Sequence, residues 1–125
     1  MEVVVIIKPD VIIANEIADM KKMIKEELWN IEISTMVQLD REFLSDFYYQ
    51  YKNEDFFEKN IVENMTKSPV IAMIVSTHNS IRDFDQVLEV KKKIREKFAK
   101  DKSNNSIHIS DSFKSALLER EKFGW

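Results

Sequence analysis

The feature that most constrains this chain is the run Glu2-Val-Val-Val-Ile-Ile7, five β-branched residues in succession with no polar residue among them. A strand with one wet face alternates apolar and polar side chains, so an unbroken run predicts a strand covered on both faces. Lys8-Pro9-Asp10 ends it, because proline has no N–H to give to a neighbouring strand. The rest of the chain must therefore supply apolar surface to bury this strand. With 125 residues, 44% of them hydrophobic, it is long enough to do so as one compact domain, residues 1–125.

The remaining elements follow from periodicity. Asn15 is a plausible cap for a helix in which Ile17, Met20, Ile24 and Leu28 recur at helical spacing. Ile31, Ile33, Thr35, Val37 and Leu39 alternate with polar or adaptable residues, as a strand with one inward face does. Asp40 can cap a helix carrying Phe43, Leu44, Phe47 and Tyr51, and a further helical stretch carries Phe57, Ile61 and Met65 before Ser68-Pro69 breaks it. Residues 70–75, VIAMIV, form a third strand. From Ser80 the spacing of Ile81, Phe84, Leu88, Ile94 and Phe98 predicts one long helix. Ile107-His108-Ile109 is a short fourth strand, and a last helix runs from Ser112 to about Lys122. This order predicts an α/β (α+β) domain of ferredoxin-like type: a four-stranded, mainly antiparallel sheet in a βαββαβ core, with extra helices and with its helices on one face.

Composition removes several function classes. Zero cysteines exclude disulfides and thiolate chemistry, and two histidines far apart in sequence argue against a zinc site. A net charge of -3 argues against general nucleic-acid binding, and strands one and three present no aromatic residues on which RNA bases would stack. A single glycine in the whole chain removes the Gly-rich phosphate loops, so any phosphate site must be built from side chains. No apolar run approaches the roughly 20 residues that span a bilayer, and the N-terminus does not read as a signal peptide, which predicts a cytoplasmic protein without a membrane partner.

His108 stands in NNSIHISDS, flanked by isoleucines and followed by possible helix caps. Such a histidine can be a half-buried strand residue bonded to backbone, or it can face a cleft. Four segments favour the second reading. VVVIIKPD, FYYQYKNEDFF, MTKSPVIAMIV and NSIHISDSFKSA occur in the order and near the spacing of the corresponding segments of nucleoside diphosphate kinases, whose pattern around the catalytic histidine is N-x-x-H-G-S-D-S. The chain resembles a short, divergent member of that family across residues 3–119.

The resemblance implies ping-pong transfer of the terminal phosphate from a nucleoside triphosphate to a nucleoside diphosphate through a phosphohistidine. Imidazole suits this role because it is largely neutral near pH 7. His108 matches the family's phosphorylated histidine, Glu119 the carboxylate that holds its other ring nitrogen, and Ser110 a supporting hydroxyl. Lys8 matches a phosphate-binding lysine. Arg95, in KIREKF, aligns with the arginine of the family's TIRGDF and would bind phosphate too. Asn105 would meet the sugar hydroxyl, Phe56 the base, and Tyr48 would stand beside the histidine. Magnesium would arrive on the nucleotide phosphates, with at most a water-mediated contact from Asp111. Each residue also has a plainer reading: Lys8 and Arg95 as solvated cations, Tyr48 and Phe56 as core aromatics. Phe57 is expected in the core and His78 on the surface.

The chain also departs from the pattern. A further arginine and a threonine that bind phosphates in the family are missing, which leaves Arg82, Lys91, Lys92 or Lys93 as substitutes. The segment before KIREKF is shortened, periodicity places Arg95 on a helix where the family has a loop, and Ile109 replaces the glycine after the histidine. A catalytically impaired nucleotide-binding module of the same fold is the alternative. Strand two resembles the family's dimer edge, which implies a homo-oligomer, a dimer at least, with hexamers weakened by the shortened loop.

Overall fold

The computed structural model describes residues 1–101 and 104–125. Four strands, β1 (Glu2–Ile7), β2 (Trp29–Val37), β3 (Val70–Thr77) and β4 (Ile107–Ile109), form one sheet in the order β2-β3-β1-β4 with every neighbouring pair antiparallel. The run from Val3 to Ile7 is fully out of water and sits between β3 and β4, as its unbroken apolar character requires.

Each face of β1 has its own core. Val3, Val5 and Ile7 pack with α2 (Ile17–Glu27) through Met20 and Ile24, and with α5 (Phe84–Phe98) through Val87, Ile94 and Phe98. On the opposite face, Val4 and Ile6 pack beneath Leu44 of α3 (Arg41–Phe47), Phe57 and Met65. Phe57 opens a π-helical segment, Phe57–Glu63, that runs into the single turn α4 (Asn64–Thr66). Helices therefore cover both faces of the sheet, which corrects the expectation of a one-sided arrangement. A strand with no polar face leaves no other solution.

Other expectations also change. Pro9 ends β1 but opens a short helix, α1 (Pro9–Ile13), where its fixed φ and missing N–H are tolerated at the first turn. Asn15 does not cap α2: it has φ 59°, the left-handed conformation that reverses the chain after α1, and Glu16 is the cap residue. β2 does not turn a regular apolar face inward. A bulge between Ile31 and Ile33 breaks its register with β3, Trp29 and Met36 are 57% and 58% exposed, and Leu39 enters the second core from beyond the strand. The long helix starts at Phe84, after Asp83 accepts the Gln86 N–H at 3.1 Å. Val87, and not Leu88, lies on its buried stripe. His78 is half-buried against Trp29, with ring centroids 4.5 Å apart. Phe57 is in the core, as expected. Among the described residues no helix is long and apolar enough to cross a membrane.

Phe57 and Phe56 are neighbours with opposite surroundings, one buried and the other 41% exposed. Phe57→Ala is expected to destabilise the protein by about 3–5 kcal/mol through the cavity it leaves, and Phe56→Ala by less than about 1 kcal/mol. Urea denaturation of the two variants measures the contrast, and equal losses would contradict the assignment of Phe57 to the second core.

Candidate active site

β4 is only three residues long, yet its register decides where His108 points. Ile107 and Ile109 pair with Ile7 and Val5 and enter the first core, so His108, opposite Ile6, faces the other side of the sheet under α3. Ile109 is a regular strand residue, and the lack of glycine there leaves the ladder undisturbed. Just before β4, Ser106 has φ 75°, and its carbonyl accepts the Lys8 N–H at 2.9 Å. This contact joins the end of β1 to the start of β4. Lys8 and His108 consequently come from one end of the sheet.

α6 (Phe113–Lys122) begins immediately after the motif because the Ser112 hydroxyl accepts the Ser115 N–H at 3.0 Å. The helix folds back and brings Glu119 to His108, with Oε1 3.0 Å from Nε2. The same Oε1 accepts the Ser110 hydroxyl at 2.7 Å, while Ser110 Oγ accepts the buried Val4 N–H at 2.9 Å. A hydrogen-bonded path thus runs from the backbone of β1 through Ser110 and Glu119 to the imidazole. Since a carboxylate only accepts, Nε2 carries the hydrogen and Nδ1 keeps its lone pair. The Tyr48 hydroxyl, 3.3 Å from Nδ1, is placed to donate to it. Burial, reinforced by the Glu119 charge, pushes the Tyr48 phenol well above its ordinary range and keeps its proton in place. His108 and Glu119 side chains are 15% and 14% exposed, so the pair is sheltered but reachable.

Positive charge gathers around this pair. Lys8 Nζ donates to Asn105 Oδ1 at 2.6 Å. Burial lowers the Lys8 ammonium to about 8, and the neighbouring Arg95 guanidinium adds to the shift. Arg95 lies on α5, where periodicity placed it, and forks onto the Ile107 carbonyl through Nη2 at 3.0 Å and Nε at 3.3 Å. Asp10 is buried nearby, among the described residues one of its carboxylate oxygens has no hydrogen-bond partner, and its pKa is raised chiefly by that burial.

Beside Tyr48 opens a cleft of about 380 Å³ lined by Lys8, Asn105, Phe56, Tyr51, Asn60 and Ile61, among others. Of the residues singled out from sequence, His108, Glu119, Ser110 and Tyr48 are tied together by the contacts above, Lys8 and Asn105 are bonded to each other, and both line the cleft with Tyr48 and Phe56. Arg95 lies outside this cleft and borders a second groove with Leu88 and Lys91. Sequence reasoning missed Tyr51 and Asn60 as lining residues. Tyr51 showed only helical spacing, which core residues share, and Asn60 gave no signal in the sequence.

The nucleoside diphosphate kinase family model matches residues 2–123. The chain belongs to the nucleoside diphosphate kinase family. A probable nucleoside diphosphate kinase 5 of Arabidopsis thaliana is 32% identical over 127 residues, covering 94% of this chain and 88% of that protein. The enzyme of Clostridium perfringens is 30% identical over 122 residues, covering 92% and 85%. Among solved structures, the Aquifex aeolicus nucleoside diphosphate kinase superposes with a TM-score of 0.79 at 28% identity, covering 99% of this chain and 94% of that one. The halophilic nucleoside diphosphate kinase of Halobacterium salinarum, solved in complex with CDP, shares the fold with a TM-score of 0.83 at 22% identity, covering 98% and 86%. These proteins carry the name of a phosphotransferase.

In this kinase fold Ser110 is the joint between sheet and histidine. Ser110→Ala would leave the Val4 N–H buried without a partner and is expected to cost about 1–3 kcal/mol. Chemical denaturation measures it, and a loss below a few tenths of a kcal/mol would show that the serine does not hold the strands together.

Proposed function

We propose that this chain, acting as one domain across residues 1–125, is a cytoplasmic nucleoside diphosphate kinase that works by ping-pong transfer through Nδ1 of His108. The single observation that carries the mechanism is the Glu119 contact at Nε2, which leaves Nδ1 as the nucleophilic nitrogen. In the first half-reaction the Nδ1 lone pair attacks the terminal phosphorus of a nucleoside triphosphate. The N–P bond forms, the bond to the bridging oxygen breaks, and the diphosphate leaves with that electron pair. In the second, a terminal phosphate oxygen of another nucleoside diphosphate attacks the phosphohistidine and restores the imidazole. Glu119 supports the charge that develops on the ring and keeps it oriented.

Lys8 and Arg95 would hold phosphate oxygens, where position and positive charge supply most of the catalysis. Asn105 would meet the sugar and Phe56 the base, which suits a half-exposed aromatic on the cleft wall. The CDP bound by the Halobacterium salinarum protein supports a nucleoside diphosphate as ligand. Magnesium would neutralise phosphate charge. It would arrive on the nucleotide phosphates, and Asp111 would make at most a water-mediated contact with it.

The intact Ser110–Glu119–His108 path favours transfer over a module that only binds nucleotide. Incubation with a nucleoside triphosphate labelled in its terminal phosphate is expected to give an acid-labile, alkali-stable phosphoenzyme that His108→Ala abolishes together with transfer. A wild-type chain that binds nucleotide but takes no label would be the binding module instead, and a His108→Ala variant that still takes label would remove the histidine from the mechanism.

The exposed edge of the sheet supports a proposal on assembly. β2 offers one unpaired edge nine residues long, with Trp29, Ile33 and Met36 facing solvent. Such an edge invites pairing, and a two-fold contact covers it without polymerising. We propose a homodimer through β2. Light scattering at micromolar concentration should give a two-chain mass, a single-chain mass would refute the contact, and a six-chain mass would show that the shortened loop does not prevent the larger assembly.

A further inference from the structure

Among the described residues five cations pair with a carboxylate: Arg41 with Glu58, Lys93 with Glu27, Lys100 with Glu16, Arg120 with Glu2 and Lys122 with Asp46. Beside His108 three cations stand close together. Lys8, Lys91 and Arg95 lie within electrostatic reach of one another, and among the described residues none of them makes an ion pair. Lys91 and Arg95 are one turn apart on α5, a spacing that brings their side chains to the same face and makes like charges repel. Both line a groove of about 350 Å³, and from it Arg95 reaches the carbonyl of the residue before His108.

Lys91 also differs from its neighbours in sequence. Lys92 and Lys93 are exposed, and Lys93 is engaged by Glu27 of α2. Lys91 is half-buried, and its ammonium is lowered by that burial and by Arg95, while Asp111 and Glu119, the carboxylates that face it, act in the opposite sense. Arg82 lies before α5, where its N–H bonds Gln86. Lys91 is half-buried beside two other cations, and the carboxylates that face it offset their mutual repulsion only in part, since burial and Arg95 still lower its ammonium. A ligand with several negative charges relieves that repulsion.

We propose that Lys91 is a third phosphate-binding residue of this site, acting with Arg95 and Lys8 on the phosphates of a nucleoside diphosphate or triphosphate. The inference rests on the phosphotransfer reading above and adds to it the residue that stands in for cations missing from the chain's family pattern. Two cations on one face of a helix beside the histidine then replace contacts that a longer loop would supply. Arginine in place of Lys91 retains the charge and offers more donors, so it should preserve the function, whereas alanine should not.

Isothermal titration with ADP and magnesium tests this, alongside wild-type labelling from ATP. Lys91→Ala is expected to weaken ADP binding about tenfold or more, the scale of one lost charge-assisted hydrogen bond. Lys91→Arg and Lys92→Ala are expected to stay within about threefold of wild type. If the wild type takes the label but Lys91→Ala binds ADP within about threefold of it, the role of Lys91 is overturned while the phosphotransfer reading stands. An equal loss in Lys92→Ala would overturn it as well, because the effect would then be general charge. If the wild type takes no label yet Lys91→Ala weakens ADP tenfold, Lys91 binds phosphate and the transfer reading fails alone.

Discussion

β1 has no face that can meet water, and the architecture follows from covering it twice. Its odd-numbered residues are buried against α2 and α5 and its even-numbered residues against α3 and the segment that starts at Phe57. Because Val4 and Ile6 look toward the second core, any strand paired beside them in register must aim one side chain at that same layer. β4 does this with His108. The histidine is therefore placed by the same alternation that buries its two isoleucine neighbours, and the hydrophobic effect orients the imidazole.

The polar part of the site is anchored to the same strand. Val4 offers its N–H to Ser110 and its carbonyl to the Ser110 N–H, and Ser110 passes the constraint to Glu119 and on to the imidazole. Each member is buried or nearly so, which makes each hydrogen bond costly to lose and holds the ring in one orientation. Aromatic rings complete the support: Phe47 meets the His108 ring edge-on at 5.3 Å, and Phe43 and Phe123 pack behind it. The cations on the other side work against folding. Lys8 is buried enough to lower its ammonium to about 8, and Asp10 keeps beside it an oxygen without a hydrogen-bond partner among the described residues. Sites that must bind charge hold such unfavourable arrangements ready, and the apolar cores supply the stability that offsets them.

What could be read from the chain in advance divides along physical lines. Elements with strong local signals were legible: the β-branched runs of β1 and β3, the Asp40 and Ser112 caps, and the helical spacing that put Arg95 on α5. Weak local signals failed. Asn15 suits a helix cap and a left-handed turn equally well, and the structure uses it as the turn. The alternation in β2 gave no sign of the bulge at Ile31 and Ile33, because a bulge depends on the partner strand. Leu88 and Val87 are adjacent on α5, and only the direction of the sheet decides which of them is buried.

By itself the sequence determined the strand and helix order, the need to bury β1, and that any phosphate site would have to be built from side chains without glycine loops, since these depend on side-chain chemistry and short-range periodicity. Tertiary structure alone decided that both faces of the sheet are covered, that Glu119 returns to Nε2 and leaves Nδ1 to face the Tyr48 hydroxyl, and that Lys91 is half-buried near Arg95 and Lys8 while Lys92 and Lys93 are exposed. Those outcomes rest on distances between residues up to 106 positions apart, as Val4 and Ser110 are. Contacts of that span form only when the whole chain closes around one strand, so no local pattern can encode them.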